Sequence, residues 1–148
     1  MSELGTTALA DAVNDIENVL DAAALDLKRM DRLDLRTYTD YHLHRGYVVR
    51  VPSTENTGDY RDRASARVLD TIVVDLAYRI RPAGQHRASR DEAWTLAESV
   101  RRLLTSRTTI WGEHLTYDRT DRVAQGPDSQ WLVQSQTYTT RRDAILGG

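Results

Sequence analysis

The chain has 148 residues, with 22 acidic and 20 basic side chains, 40% hydrophobic content, three tryptophans, seven tyrosines, no phenylalanine and no cysteine. That length suits a single domain, 1–148, with a core of its own, and the missing cysteines exclude disulfides and thiolate metal sites. A formal net charge of -2 speaks against a nucleic-acid binder, and no run approaches the ~20 apolar residues that span a bilayer.

The opening stretch MSELGTTALADAV lacks the basic segment of a secretory signal, so an intracellular, soluble protein with no membrane partner is expected. Charge is unevenly spread. Glu3, Asp11, Asp15, Glu17, Asp21 and Asp26 are the only charges in the first 27 residues, whereas the rest carries 16 acids against 20 bases, 19 of them arginine. Arginine's planar fork suits carboxylate contacts at protein interfaces, although a GC-rich genome produces the same bias.

A first helix is predicted from an N-cap at Thr6 or Thr7, because Leu9, Ala12, Ile16, Val19, Leu20, Ala23 and Leu27 recur at helical spacing. Asp11, Asp15 and Asn18 fall on the opposite, solvated face, and Ala22 to Ala24 suit close approach to a sheet. From about Tyr38 the period becomes two. Tyr41, Leu43, Tyr47, Val49 and Val51 alternate with polar residues until Pro52, with Gly46 as a candidate bulge. Residues 53–65, STENTGDYRDRAS, combine turn formers with paired charges and predict an exposed loop or hairpin arm.

Val68, Ile72, Val74, Leu76, Tyr78 and Ile80 share one face of the next strand, with Asp70 as the polar exception, expected beside an arginine such as Arg50. Ser89 and Glu92 form an S-x-x-E capping box for a second helix, whose apolar stripe from Ala93 to Leu104 places Trp94 in the core. Strand patterning then returns through Trp111, Leu115, Tyr117 and Val123, breaks at Gly126-Pro127-Asp128, and resumes from Gln130 to Arg142, with 143–148 as a C-terminal tail. Gln134, Gln136, Thr137, Thr139 and Thr140 make that last strand polar, as if it faced water or a neighbouring subunit. The order α-β-β-α-β-β predicts an α+β fold, a mixed or antiparallel sheet of about four strands with two main helices packed on it.

No nucleophile elbow, phosphate loop or dinucleotide fingerprint is present in the sequence. His42 and His44 share a strand face without an evident third ligand, so no metal, cofactor or catalytic residue is assigned and no enzyme is expected. Aromatic residues and arginine are enriched at interfaces, and the candidate subunit or partner interface is Tyr60, Arg61, Arg63, Arg67, Trp111, Trp131, Arg141 and Arg142. Trp111 and Trp131 are open to a core position as well. Tyr60 interleaved with Arg61 and Arg63 has the texture of a single-strand nucleic-acid surface, but Asp59 and Asp62 cancel its charge.

The leading helix, the strand TIVVDLAYRIRP at 71–82, the helix SRDEAWTLAESVRRLLTS at 89–106 and the closing strand WLVQSQTYTTRRDAIL at 131–146 together resemble the tail terminator proteins of tailed bacteriophages, also described as tail-completion or neck proteins. The resemblance covers most of the chain and rests on element order and residue texture. It implies a structural virion protein, assembled in the host cytoplasm and located in the tail or neck of the particle. Such proteins form a hexameric homo-oligomer that caps the tail tube, ends its polymerisation and joins it to the head connector or stopper protein. DNA passes through the ring without specific binding. The alternatives are another neck, connector or tail-tube component, and, in a different class, a small-ligand-binding or enzymatic α+β pocket domain.

Overall fold

The period-two run around Ile72 becomes the central strand of a five-stranded mixed sheet. The computed structural model describes residues 6–33, 35, 43–60, 65–81, 84–126 and 129–145. In chain order these form α1 (Leu9–Ala22), β1 (Lys28–Arg29), β2 (Gly46–Tyr60), β3 (Ser65–Arg79), α2 (His86–Thr105), β4 (Thr116–Gln125) and β5 (Trp131–Ile145). The sheet order is β1-β2-β3-β5-β4, with β1 parallel to β2 and every other pair antiparallel. The predicted α+β class with two helices on a sheet is what forms, with the two-residue β1 as an added strand.

Side chains alternate across the sheet, so the even-numbered residues of β3 turn towards the helices. Ile72, Val74, Leu76 and Tyr78 meet Tyr47 of β2, Tyr138 of β5, Ile16 and Leu20 of α1, and Val100 and Leu104 of α2 in the main core. The opposite face carries a smaller cluster at one end, where Leu35 and Leu43 cover Ala77, Trp131 and Val133. Elsewhere that face buries Val73 and bears a polar group of contacts: Arg50 Nε donates to Asp75 Oδ2 at 2.7 Å and Ser135 Oγ to Asp75 Oδ1 at 2.6 Å. No helix among the described residues is long and apolar enough to cross a membrane.

Several expectations change. α1 is capped at Ala8 without a side-chain hydrogen bond, and Thr7 N bonds to Asp143 O at 3.0 Å instead, so the strand end fixes the helix start. The helix stops at Ala22, and its close-packing alanine is Ala12 at 1% exposure, not the run Ala22 to Ala24. Asp15 is buried, because Arg107 and the Ile110 amide bond its carboxylate. Gly46 opens β2 and does not bulge; one irregularity falls between Arg50 and Ser53, around Pro52, which cannot donate to the ladder, and a second between Asn56 and Tyr60. A Cβ at Gly46 would lie 2.8 Å from Leu43 O, which accounts for the glycine. Tyr38, Tyr41 and His42 lie outside the described residues.

α2 begins at His86, so Ser89 lies inside the helix, donating to Gln85 O at 2.8 Å and accepting from Arg81 N at 3.2 Å. Glu92 accepts from the Tyr78 hydroxyl at 2.6 Å and makes no capping box. Trp94 falls outside the buried stripe of Ser89, Ala93, Leu96, Ala97, Val100 and Leu104 and is 40% exposed, with the Arg90 guanidinium 4.5 Å above its ring. Trp111 belongs to a turn closed by the Thr108–His114 bridge, and the strand starts only at Thr116. β5 runs to Ile145, into the stretch expected to be a tail.

Candidate functional site

The last strand supplies the largest surprise, because its two glutamines are buried under α2. Gln134 and Gln136 are 0% and 1% exposed. Their Nε2 atoms donate to Ala93 O at 2.8 Å and Ala97 O at 2.6 Å. Two residues along a strand advance about 6.8 Å and four along a helix about 6 Å, so alternate glutamines match successive turns of α2. Their oxygens are also used, by Arg122 Nε at 2.9 Å and the Tyr138 hydroxyl at 2.6 Å. Burial raises the Tyr138 pKa, so the phenol stays a donor. The amides therefore fix the helix in register on the sheet. The spacing of Gln134, Gln136 and Tyr138 was the signal available in the sequence.

The far end of the sheet gathers several of the interface candidates around a buried ion pair. Arg142 Nε and Nη2 reach Asp70 at 2.7 and 3.2 Å, and Nη1 donates to Thr7 O at 2.9 Å. Thr54 Oγ1 adds a bond to Asp70 at 2.7 Å, so Arg142, and not Arg50, is the partner of that carboxylate. Register places Asp70 opposite Thr140, whose hydroxyl accepts from Trp111 Nε1 at 3.3 Å. Arg67 is half-buried beside them, 3.3 Å from Asp143 and 3.8 Å from Glu113. Arg67, Trp111 and Arg142 thus tie the 107–115 turn, the start of α1 and the ends of β3 and β5 together.

The other candidates lie elsewhere. Trp131 is fully buried at the opposite end of the sheet, in the smaller cluster with Leu35 and Ala77, so within the subunit it is a core residue. Arg141 is exposed on β5. Tyr60 ends β2, with its backbone opposite Ala66, while Arg61 and Arg63 lie outside the described residues. The β2 side of the arm is exposed from Pro52 to Gly58, and the arm is a hairpin in which β2 and β3 pair from Ser53↔Thr71 to Tyr60↔Ala66.

A groove of about 470 Å³ runs between the end of α1 and α2, over Tyr78, Leu96 and Arg45. Two of its polar groups, Tyr78 and Arg45, are tied to the scaffold. The Tyr78 hydroxyl is engaged by Glu92, and burial raises its pKa. Arg45 reaches Asp26 O at 3.1 Å and bonds Leu25 O, and its guanidinium sits 5.8 Å from the Tyr78 ring centre. His44 stacks edge-on against that ring at 4.5 Å, accepts from Arg79 N at 3.1 Å through Nδ1, and has its pKa lowered by burial and by Arg45. Among the described residues no group of three or more histidines and carboxylates is placed to hold a metal ion.

The whole arrangement has a counterpart among solved structures. The chain is similar in fold to one from a structure described as the virion of native gene transfer agent (GTA) particle. The TM-score is 0.60 and the identity 15%, over 94% of this chain and 100% of the other. At that identity the likeness is one of fold. No family model and no curated protein matches the chain.

Proposed function

We propose that this chain is a structural virion protein of a tailed phage or phage-like particle, and within that class a tail terminator. It acts by assembly and performs no catalysis. Copies form a ring, a hexamer, that caps the tail tube, ends its growth and offers the surface to which the head connector docks. The observation that carries the virion reading is the fold shared, over 94% of this chain, with a chain of a gene transfer agent virion.

Other features are compatible with this role. A ring needs two different, heterologous faces on each subunit. This subunit has a helix layer bearing Trp94 and Arg90 on one side and a polar sheet face on the other, where Arg50, Asp75 and Ser135 bond one another. The exposed hairpin arm extends one end of the sheet and suits contact with a neighbouring subunit. Near-neutral charge lets DNA pass such a ring without being held.

The test is tube growth in vitro. Purified tail-tube subunits polymerise to a broad distribution of lengths, and adding this protein should halt extension at substoichiometric amounts. Tubes that grow unchanged in its presence would overturn the terminator reading. A pocket protein is the competing reading, favoured by the 470 Å³ groove over Tyr78, and it predicts a bound small molecule with no effect on tubes.

A further inference from the structure

β4 is the last strand in the sheet order, so among the described residues its outer edge has no strand beside it. Sheets blunt such edges with proline, bulges and charge, because unpaired amides and carbonyls template the addition of another strand. On the far side of the sheet, β2 is blunted by Pro52, by the irregularity between Arg50 and Ser53, and by β1 over Gly46 and Tyr47. β4 contains no proline. Its bulge, between Tyr117 and Arg119, leaves the following run to Gln125 regularly paired with β5.

The charges on that run have an internal symmetry. Asp118-Arg119-Thr120-Asp121-Arg122 reverses every sign when read backwards about Thr120. Two copies laid antiparallel with a two-fold axis through Thr120 therefore place Arg119 of each opposite Asp121 of the other. Both residues lie on the polar face of the sheet, opposite Thr137 and Ser135 of β5, and a two-fold axis normal to the sheet keeps them on one face. Opposite charges directly across an antiparallel pair stabilise it, and like charges destabilise it. Moving the axis by one residue sets Arg119 on Arg119, or Asp121 on Asp121. The symmetry thus selects one register. Asp118, the extra residue of the bulge, is left beside Arg122 of the second copy. Val123, 52% exposed on the same strand, is shielded when another strand lies along this edge.

We propose that two copies of this chain pair edge to edge through β4, about a two-fold axis at Thr120, into one continuous sheet. This dimer is separate from the ring proposed above. It uses one sheet edge and one axis, and its test needs no tail tubes.

The chain has no cysteine, so Thr120→Cys introduces a lone thiol that meets its own copy only at the axis, within the Cα separation that a disulfide accepts. Mild oxidation of the full chain should give a covalent dimer with Thr120→Cys. Val123→Cys is the control, being more exposed but three residues from the axis, and it should cross-link slowly. Equal or faster cross-linking of Val123→Cys overturns the proposal. A second pair of variants removes dependence on that substitution folding well. Arg119→Asp and Asp121→Arg each set like charges across the axis and should weaken dimerisation at least about tenfold in sedimentation. An equimolar mixture restores both opposite-sign pairs and should recover the dimer. Pairing of Arg119 with Asp121 inside one chain, 2.9 Å apart, is lost in both variants and is not regained by mixing, so failure of the mixture to recover also overturns the proposal.

Discussion

Replacing Arg142 with alanine should be among the most damaging single changes in this chain. The Arg142 and Asp70 side chains are 6% and 1% exposed, and the guanidinium makes two bonds to the carboxylate, at 2.7 and 3.2 Å. Alanine leaves Asp70 in the interior with the Thr54 hydroxyl, and it frees Thr7 O, through which the start of α1 is held. Breaking one side of a buried ion pair costs about 3–5 kcal/mol. For a chain of this size that corresponds to a fall in Tm of roughly 10–20 °C. Urea unfolding followed by tryptophan fluorescence gives the free energy directly. Replacing both partners, Asp70→Leu with Arg142→Met, should restore most of the loss, because the penalty lies in the stranded charge and not in the missing bond. A loss below about 1 kcal/mol for Arg142→Ala would refute the reasoning, since it would mean that water reaches Asp70.

Gln136→Leu removes the bond to Ala97 O and strands the buried Tyr138 hydroxyl, and should cost about 1–3 kcal/mol by the same urea assay. Trp131→Ala should cost about 3–5 kcal/mol and Trp94→Ala only about 1 kcal/mol, an order that thermal melts can check. His44 gives the pH dependence. Its folded pKa lies below the ordinary 6.5 because burial, and then Arg45, Lys28 and Arg81, oppose its charge. Its contribution is complete above pH 6.5. As pH falls below that value the unfolded chain takes up a proton that the folded one resists, so stability declines until the lowered folded pKa is passed. Melting curves between pH 7.5 and 5 should show this decline, and His44→Asn should lessen it.

Periodicity made the sheet legible where one face is apolar. Val68 to Ile80 lie where alternation puts them, and the stripe of α2 is right apart from Trp94. One step from Ala93 turns a helix by about 100°, enough to carry that indole out of the buried sector despite its size. What the sequence concealed is polar burial. Gln134, Gln136 and Asp15 look like solvent-facing residues, Arg142 like an interface residue and Asp70 like a neighbour of Arg50, until the partner from a distant segment is in place, and those partners, Ala93 O, Arg107 and Thr7 O, are 41, 92 and 135 residues away. Main-chain partners leave no trace in side-chain patterning. The interface candidates divide for the same reason. Arg67, Trp111 and Arg142 converge because strand register sets Arg67 against Asp143 and Val68 against Arg142, and no short-range rule specifies that register.

The central claim is that the chain works by assembling at a tube end, and the most direct measurement is its mass in solution by light scattering, over a range of concentrations, with and without purified tail tubes. The account predicts a ring of six 16.8 kDa chains, formed freely or only when tubes are present. A mass fixed at one or two chains, unchanged by tubes, would contradict it.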